Sequence, residues 1–512
     1  MSANKPLKIG YHTNIGAFYR GRNQFDGPAR TGRGVDFILC HIDPDDKLTV
    51  EENCRRAEKA VKAMSDLGVD YIANFESQNF NNDTATKDGF DWANHPDGTH
   101  RLNIPKAYMD ALNSQGNCWG VMYDEFEHVI INRNISLALA SKYKIDKPTF
   151  PVLKEKNVLK QGALLSEQLK EYRKELGELG AATLSGEHVF PVLFHKFAEN
   201  DIIPNFKSQK ESASVIQFVI AAGAAMQYKT PLWNCVDLWY RLTFPGHSVE
   251  EMYHNLKFAY LAGVDAVYVE AAERFYEGEE DTITPYGEAF CRFAGEYKGK
   301  ERDYNVQDYE PEIAVIRYDD TYWGQGRCRF FWRNMLFGNP KLKVHKQNRE
   351  WIRALRLITQ GESGRNGISW GRLELRSLYA PHRSFVTMNN AVVFDDKVKA
   401  EQLKTLKLAF LCGETVSKET ADAVAECVRN NGLTVVTVPR FAPAGKKAPA
   451  VGYREYRDGK GTWIVTKGFE QPGLKKRLAP FFGSKHEMRF VFGGKEIVMK
   501  ISKNGETFDV ME

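Results

Sequence analysis

Short, nearly continuous apolar runs separated by longer stretches of helical period organise the first three-fifths of the chain. The runs are LKIGYHTN from Leu7, DFILCHID from Asp36, DYIANFES from Asp70, CWGVMYDE from Cys118, HVFPVLFHK from His188, PLWNCVDLW from Pro231 and DAVYVEAA from Asp265. Unbroken hydrophobicity over so few residues suits strands covered on both faces, as in a parallel sheet. Helices are expected between them. Thr49 and Glu52 form a capping-box pattern before a segment that ends at Gly68. Ser248 and Glu251 repeat the pattern before a helix whose Met252, Tyr253, Leu256 and Ala259 share one face, and Gly263 closes it. Such βα alternation predicts a (β/α)8 barrel over residues 1–302. Seven strands are evident, so the eighth is expected between Ile145 and Ala222.

The pattern changes at the charged stretch KGKERDYNVQDYEP from Lys298. Beyond it PEIAVIRYDD from Pro311, FVTMNNAVVFDD from Phe385, LKLAFLCGE from Leu406 and LTVVTVPRF from Leu433 again read as parallel strands, with a helix over Ser417 to Asn431. Residues 303–484 therefore predict a Rossmann-like α/β domain, although neither a GxGxxG nor a Walker motif is present. Residues 485–512 alternate polar and apolar positions around GG and NG turns, the pattern of a small antiparallel β element.

Composition narrows the function without naming it. The chain has 512 residues, 43% hydrophobic and 27% charged, which are globular values. A formal net charge of +4 gives no reason to expect nucleic acid or an anionic membrane as a partner. The start MSANKPLKIG lacks a signal-type apolar run, and no stretch has the apolar length of a membrane span, so a cytoplasmic protein is expected. Eight scattered cysteines without a CxxC pair point to buried free thiols rather than disulfides or a metal cluster.

In a (β/α)8 barrel the chemistry is built at the C-terminal ends of the strands. The densest such end is the CWGVMYDEFEH stretch, where Asp124, Glu125 and Glu127 follow a buried run, with His128 adjacent. Acids crowded there suffer repulsion and desolvation, a cost that chemistry can justify and that a solvated loop would avoid. Cleaving a glycosidic bond requires one carboxylic acid to protonate the leaving oxygen and a second carboxylate as nucleophile or base. Glu125, between the aromatic Tyr123 and Phe126, is the first candidate for the acid, with Glu127 the alternative. Asp237, between Trp233 and Trp239, and Glu270, at the end of VDAVYVEAAERF, are candidates for the partner; each would otherwise serve as counter-charge to Arg241 or Arg274. His12, Asn14, Glu76, Asp124, His195 and Asn234 fall near expected strand ends, and with Trp233 and Trp239 they are the candidate sugar-binding groups. The rival chemistry is a metal-dependent hydrolase using His12, His41, His128, His195 or His247, but no HxH or HExxH pair supports it. No cofactor is required for the carboxylate route.

Two passages carry a family resemblance. KTPLWNCVDLWYR from Lys229, YHNLKFAYLAGVDAVYVEAA from Tyr253 and ITPYGEAFCRFAGEY from Ile283 resemble the last barrel strands and closing helix of barrel glycoside hydrolases. They are most similar to the β-galactosidase family whose barrel precedes a trimerisation domain. EIAVIRYDD and LAFLCGETVSKETADAVAECVRNNGLTVV are similar to the amidotransferase-like domain that follows the barrel in that family. The resemblance implies a glycosidase acting on an oligosaccharide or glycoside, with Glu125 as acid and Asp237 as its partner, and a homo-oligomer, namely a trimer. It also exposes departures: Asp124-Glu125 stands where the family has Asn-Glu, and Asp237 where it has Glu. A carbohydrate-binding protein on a hydrolase scaffold that has lost activity fits the same departures.

Overall fold

The computed structural model describes residues 6–14, 34–42, 48–74, 106–123, 155–188, 193–209, 212–238, 247–270, 275–277, 282–324, 335–364 and 383–511. Eight parallel strands close into a barrel in sequence order: β1 (Lys8–Asn14), β2 (Phe37–His41), β3 (Asp70–Asn74), β4 (Cys118–Tyr123), β5 (Leu184–His188), β6 (Ile203–Ser208), β7 (Trp233–Asp237) and β8 (Ala266–Glu270). Hydrogen bonding between β8 and β1 completes the ring.

Six strands lie where the apolar runs place them, and two require correction. β5 ends at His188, where the sequence reading begins it, and Phe194–Glu199 is a buried helix rather than strand. The unassigned strand is β6, whose sequence IPNFKS sets Asn205 and Lys207 among its apolar positions. Helix starts follow the expected chemistry. Thr49 and Glu52 make a complete capping box at Val50–Asp66. Ser248 accepts from the Glu251 N–H, but the Glu251 carboxylate turns instead to His247 Nδ1 (2.7 Å) and Ser384 Oγ (2.7 Å).

Alternation along the strands sorts side chains into two cores. Ile38, Tyr71, Val121, Leu184, Phe206, Val236 and Val267 pack outward under the helices. Phe37, Leu39, Ile72, Met122, Ile203, Trp233, Cys235, Ala266 and Tyr268 fill the barrel. At the floor, Phe37 lies so close to Gly10 that a Cβ there would fall 2.6 Å from its ring. Higher up, Asn205 Nδ2 donates to the Tyr268 hydroxyl (2.8 Å), which reaches Met122 Sδ at 3.1 Å. The barrel is thus plugged below its mouth.

A six-stranded sheet follows, with Ile313–Arg317 between Ala391–Phe394 and Leu408–Cys412, then Thr434–Thr437, Gly461–Thr466 and the antiparallel edge Tyr453–Asp458. Lys418–Asn431 is the expected helix, capped by Ser417 and stopped by Gly432 at φ 81°. Glu487–Phe492, Lys495–Ile501 and Phe508–Met511 form an antiparallel sheet, joined by Met388–Asn389 in parallel. The helix Ser214–Tyr228 has no polar face because it lies between the barrel and this second sheet. Gly223 touches the Val393 backbone, while Gln227 and Tyr228 donate to Asp395. Cys54, Cys118, Cys235, Cys412 and Cys427 are free thiols. Among the described residues no helix is long and apolar enough to cross a membrane.

Candidate active site

Inward positions toward the C-terminal ends of seven of the strands are polar, while β4 offers Met122. β1 supplies His12, β2 His41, β3 Asn74, β5 Glu187, β6 Lys207, β7 Asp237 and β8 Glu270. Each sits two residues beyond a barrel-filling position on its strand, or begins where that filling stops, so one alternation builds both the plug and the site.

Lys207 is its centre. Its side chain is fully buried, and Nζ donates to Glu270 Oε2 at 2.8 Å. The same ammonium lies 3.5 Å from Glu187 Oε1 and 3.6 Å from Asp237 Oδ2. Glu187 and Asp237 are equally hidden, whereas Glu270 keeps 16% of its side chain exposed and marks the open side. Asp237 and Glu270 are register partners across β7 and β8, which brings two carboxyls to one place. Cys235 Sγ lies 3.4 Å from Glu270 Oε2. Burial, then the neighbouring Glu187 and Glu270 carboxylates, push this thiol well above its usual range. Burial, with Cys235 and Glu187 nearby, does the same to the Tyr268 hydroxyl. Both groups are therefore neutral at physiological pH.

On the other side of the mouth the rings of His12 and His41 meet edge to face, with centroids 4.3 Å apart. His41 Nε2 pairs with Asn74 Nδ2 at 3.2 Å. Burial, then His41 and Lys207, hold His12 well below the usual imidazole range, so it is neutral. Both of its ring nitrogens, and Asn74 Oδ1, are buried without a hydrogen-bond partner among the described residues. Such groups match the hydroxyls of a polyol ligand.

The candidates divide into three sets. Asp237, Glu270 and His12 come together in this layer. Glu125, Glu127, Asp124, Glu76 and Trp239 lie outside the described residues, as does the side chain of Asn14. His195, Trp233 and Asn234 are placed elsewhere. His195 is in the Phe194–Glu199 helix and bonds the Val393 carbonyl (3.0 Å) at the second sheet. Trp233 faces inward but sits four residues before Asp237, about 13 Å lower along the strand, within the barrel filling. Asn234 donates to the Phe206 carbonyl and Ser208 Oγ on the neighbouring strand, both at 2.9 Å. His247, of the metal alternative, is bound to Glu251 at a helix start.

Sequence reasoning missed Glu187 and Lys207. The available signal was period-two alternation: Ile203, Asn205 and Lys207 share one face of β6, and a lysine in line with a core isoleucine faces the barrel interior. Glu187, Cys235 and Glu270 offer ligand atoms within 4.8 Å of one another, a spacing that could hold a cation. The Lys207 ammonium already supplies positive charge there, and the protonated thiol is a poor ligand, so the donor set fits a metal badly.

By sequence, the chain matches no family model and no curated protein. Its structure is similar to that of a polyextremophilic β-galactosidase from the Antarctic haloarchaeon Halorubrum lacusprofundi, at 12% identity and a TM-score of 0.55 over 97% of this chain and 94% of that one. It is similar also to an exo-β-1,4-mannosidase from Opitutaceae bacterium strain TAV5, at 9% identity and a TM-score of 0.51 over 93% and 94%. At these identities the likeness is one of fold, and it extends through the sheets that follow the barrel.

Proposed function

We propose that the protein is a glycoside hydrolase working with a pair of carboxylates at the barrel mouth. The observation that carries this reading is the convergence of Asp237 and Glu270 on Lys207 at the strand ends, where barrel enzymes assemble their chemistry. The fold shared with two glycosidases over nearly the whole chain supports it.

In this reading Asp237 or Glu270 attacks the anomeric carbon, or takes a proton from the water that does. The opposing acid is assigned to Glu125, which follows the end of β4 by two residues, with Glu127 the alternative. It donates its proton to the glycosidic oxygen as the C–O bond breaks. In a ring of eight strands β4 stands across the mouth from β8, the relation that a sugar flanked by two carboxyls requires. His12 and Asn74 are assigned to the sugar hydroxyls.

Turnover of a panel of nitrophenyl α- and β-glycosides tests the proposal, with wild type beside Glu125→Gln, Glu127→Gln, Asp237→Asn and Glu270→Gln. The expected result is cleavage of at least one glycoside, falling about 10²–10⁴-fold in one variant after β4 and in one of the later pair. Glycan binding without turnover by any form would favour a carbohydrate-binding protein instead.

A further inference from the structure

A buried lysine beside three acids at the working end of a barrel calls for its own explanation. Lys207 is fully buried, with its ammonium 2.8 Å from one carboxyl and 3.5 and 3.6 Å from two more. An uncompensated buried ammonium is costly, and replacing a buried ion pair with apolar residues is often neutral or stabilising. Stability alone therefore gives weak grounds for a lysine at this position.

We infer that Lys207 is a positioning residue that holds the carboxylates of Asp237 and Glu270 ionised and drawn to one point at the barrel mouth. The inference rests on the hydrolase reading only for its kinetic consequence. Among the described residues, the groups facing the ammonium are Glu187 from β5, Asp237 and Cys235 from β7, and Glu270 and Tyr268 from β8, with His12 and His41 across the mouth from β1 and β2. The thiol, the phenol and the His12 ring are neutral, so among the described residues the three carboxyls share the Lys207 ammonium. Each carboxyl within a few ångströms of a cation is favoured in its ionised form, and each also opposes ionisation of the other two. Lys207 favours the ionised form of Glu270 through a direct hydrogen bond, and of Glu187 and Asp237 through proximity. Removing it raises the proton affinity of the carboxyls it faces, and a protonated nucleophile or base is inert.

Lys207→Met and Glu187→Gln, examined in the full-length chain, separate this role from a merely structural one. An opposite charge at this range lowers a carboxyl pKa by about 1–3 units. Infrared difference spectra should therefore show a protonated-carboxyl C=O band in Lys207→Met that titrates about 1–3 units higher than any in wild type. Glu187→Gln removes a competing negative charge and keeps the ammonium, so its remaining carboxyls should titrate lower. Where wild type hydrolyses a glycoside, the acidic limb of its kcat/KM profile should shift in the same two directions. If wild type has no turnover, the hydrolase reading fails while the infrared titrations still decide the role of Lys207. Carboxyl titrations that are unchanged in Lys207→Met would overturn the inference. Should Lys207→Met not fold, the downward shift in Glu187→Gln decides: its absence would overturn the inference equally.

Discussion

Replacing Asp396 with Asn should make this protein more stable, and more so the higher the pH. Asp396 follows the strand Ala391–Phe394 and is 6% exposed. Its carboxyl is raised from the usual 3.8 to about 7, chiefly by burial and then by Asp395 beside it, against the opposing pull of Lys196 and Lys397. An acid whose pKa is higher folded than unfolded favours the folded state most below the unfolded value. That advantage is lost as pH rises from about 3.8 to about 7, because only the unfolded chain ionises freely in this window. A gap of about three units at about 1.4 kcal/mol each gives a cost near 4 kcal/mol above the folded pKa, and about 2 kcal/mol near pH 5. Asn has the same shape and no charge, so it removes the cost. Urea unfolding followed by circular dichroism near pH 5 and near pH 8 reads both values. A variant no more stable than wild type near pH 8, or an advantage that does not grow between the two conditions, would refute the reasoning.

Two further substitutions test the framework around the site. Gly223→Ala places a Cβ 1.7 Å from the Val393 carbonyl oxygen, between the Ser214–Tyr228 helix and the second sheet. Despite a helix-propensity gain of about 1 kcal/mol, it should destabilise the chain by about 1–3 kcal/mol in urea unfolding, because the two layers must separate. Thr49→Ala removes the cap whose Oγ1 accepts from the Glu52 N–H at 3.2 Å. It should cost about 1 kcal/mol in the same assay.

What the sequence reveals, and what it hides, follows from where side chains point. β1 to β4, β7 and β8 are legible because their outward residues, such as Ile38, Tyr71, Val121, Val236 and Val267, make compact apolar runs under the helices. β5 and β6 are not, because small and polar residues interrupt their apolar runs. LSGEH offers a single large apolar residue, and IPNFKS is broken by Asn205 and Lys207. The apolar run after His188 draws the eye to a strand, yet Phe194 and Phe197 belong to a short buried helix. Asp237 and Glu270 stand out as acids closing apolar strands. Lys207 does not, since burial of a lysine makes sense only once three carboxyls from separate strands are seen around it. Trp233 and Asn234 show the converse error: adjacency to Asp237 in sequence puts one deep in the barrel and the other against β6. The edge hairpin Tyr453–Asp458 and Gly461–Thr466 escaped notice because its first strand is mostly polar.

The central claim is that carboxyls at this barrel mouth cleave a glycosidic bond. Proton NMR of glycosides incubated with the full-length protein tests it most directly, because the anomeric signals report both cleavage and the configuration of the released sugar. The account predicts a new anomeric signal with wild type that is lost in Asp237→Asn or Glu270→Gln, each shown to be folded by circular dichroism. It would be contradicted by release that persists at the wild-type rate in both variants, or by no release from any glycoside that saturation-transfer spectra show to be bound.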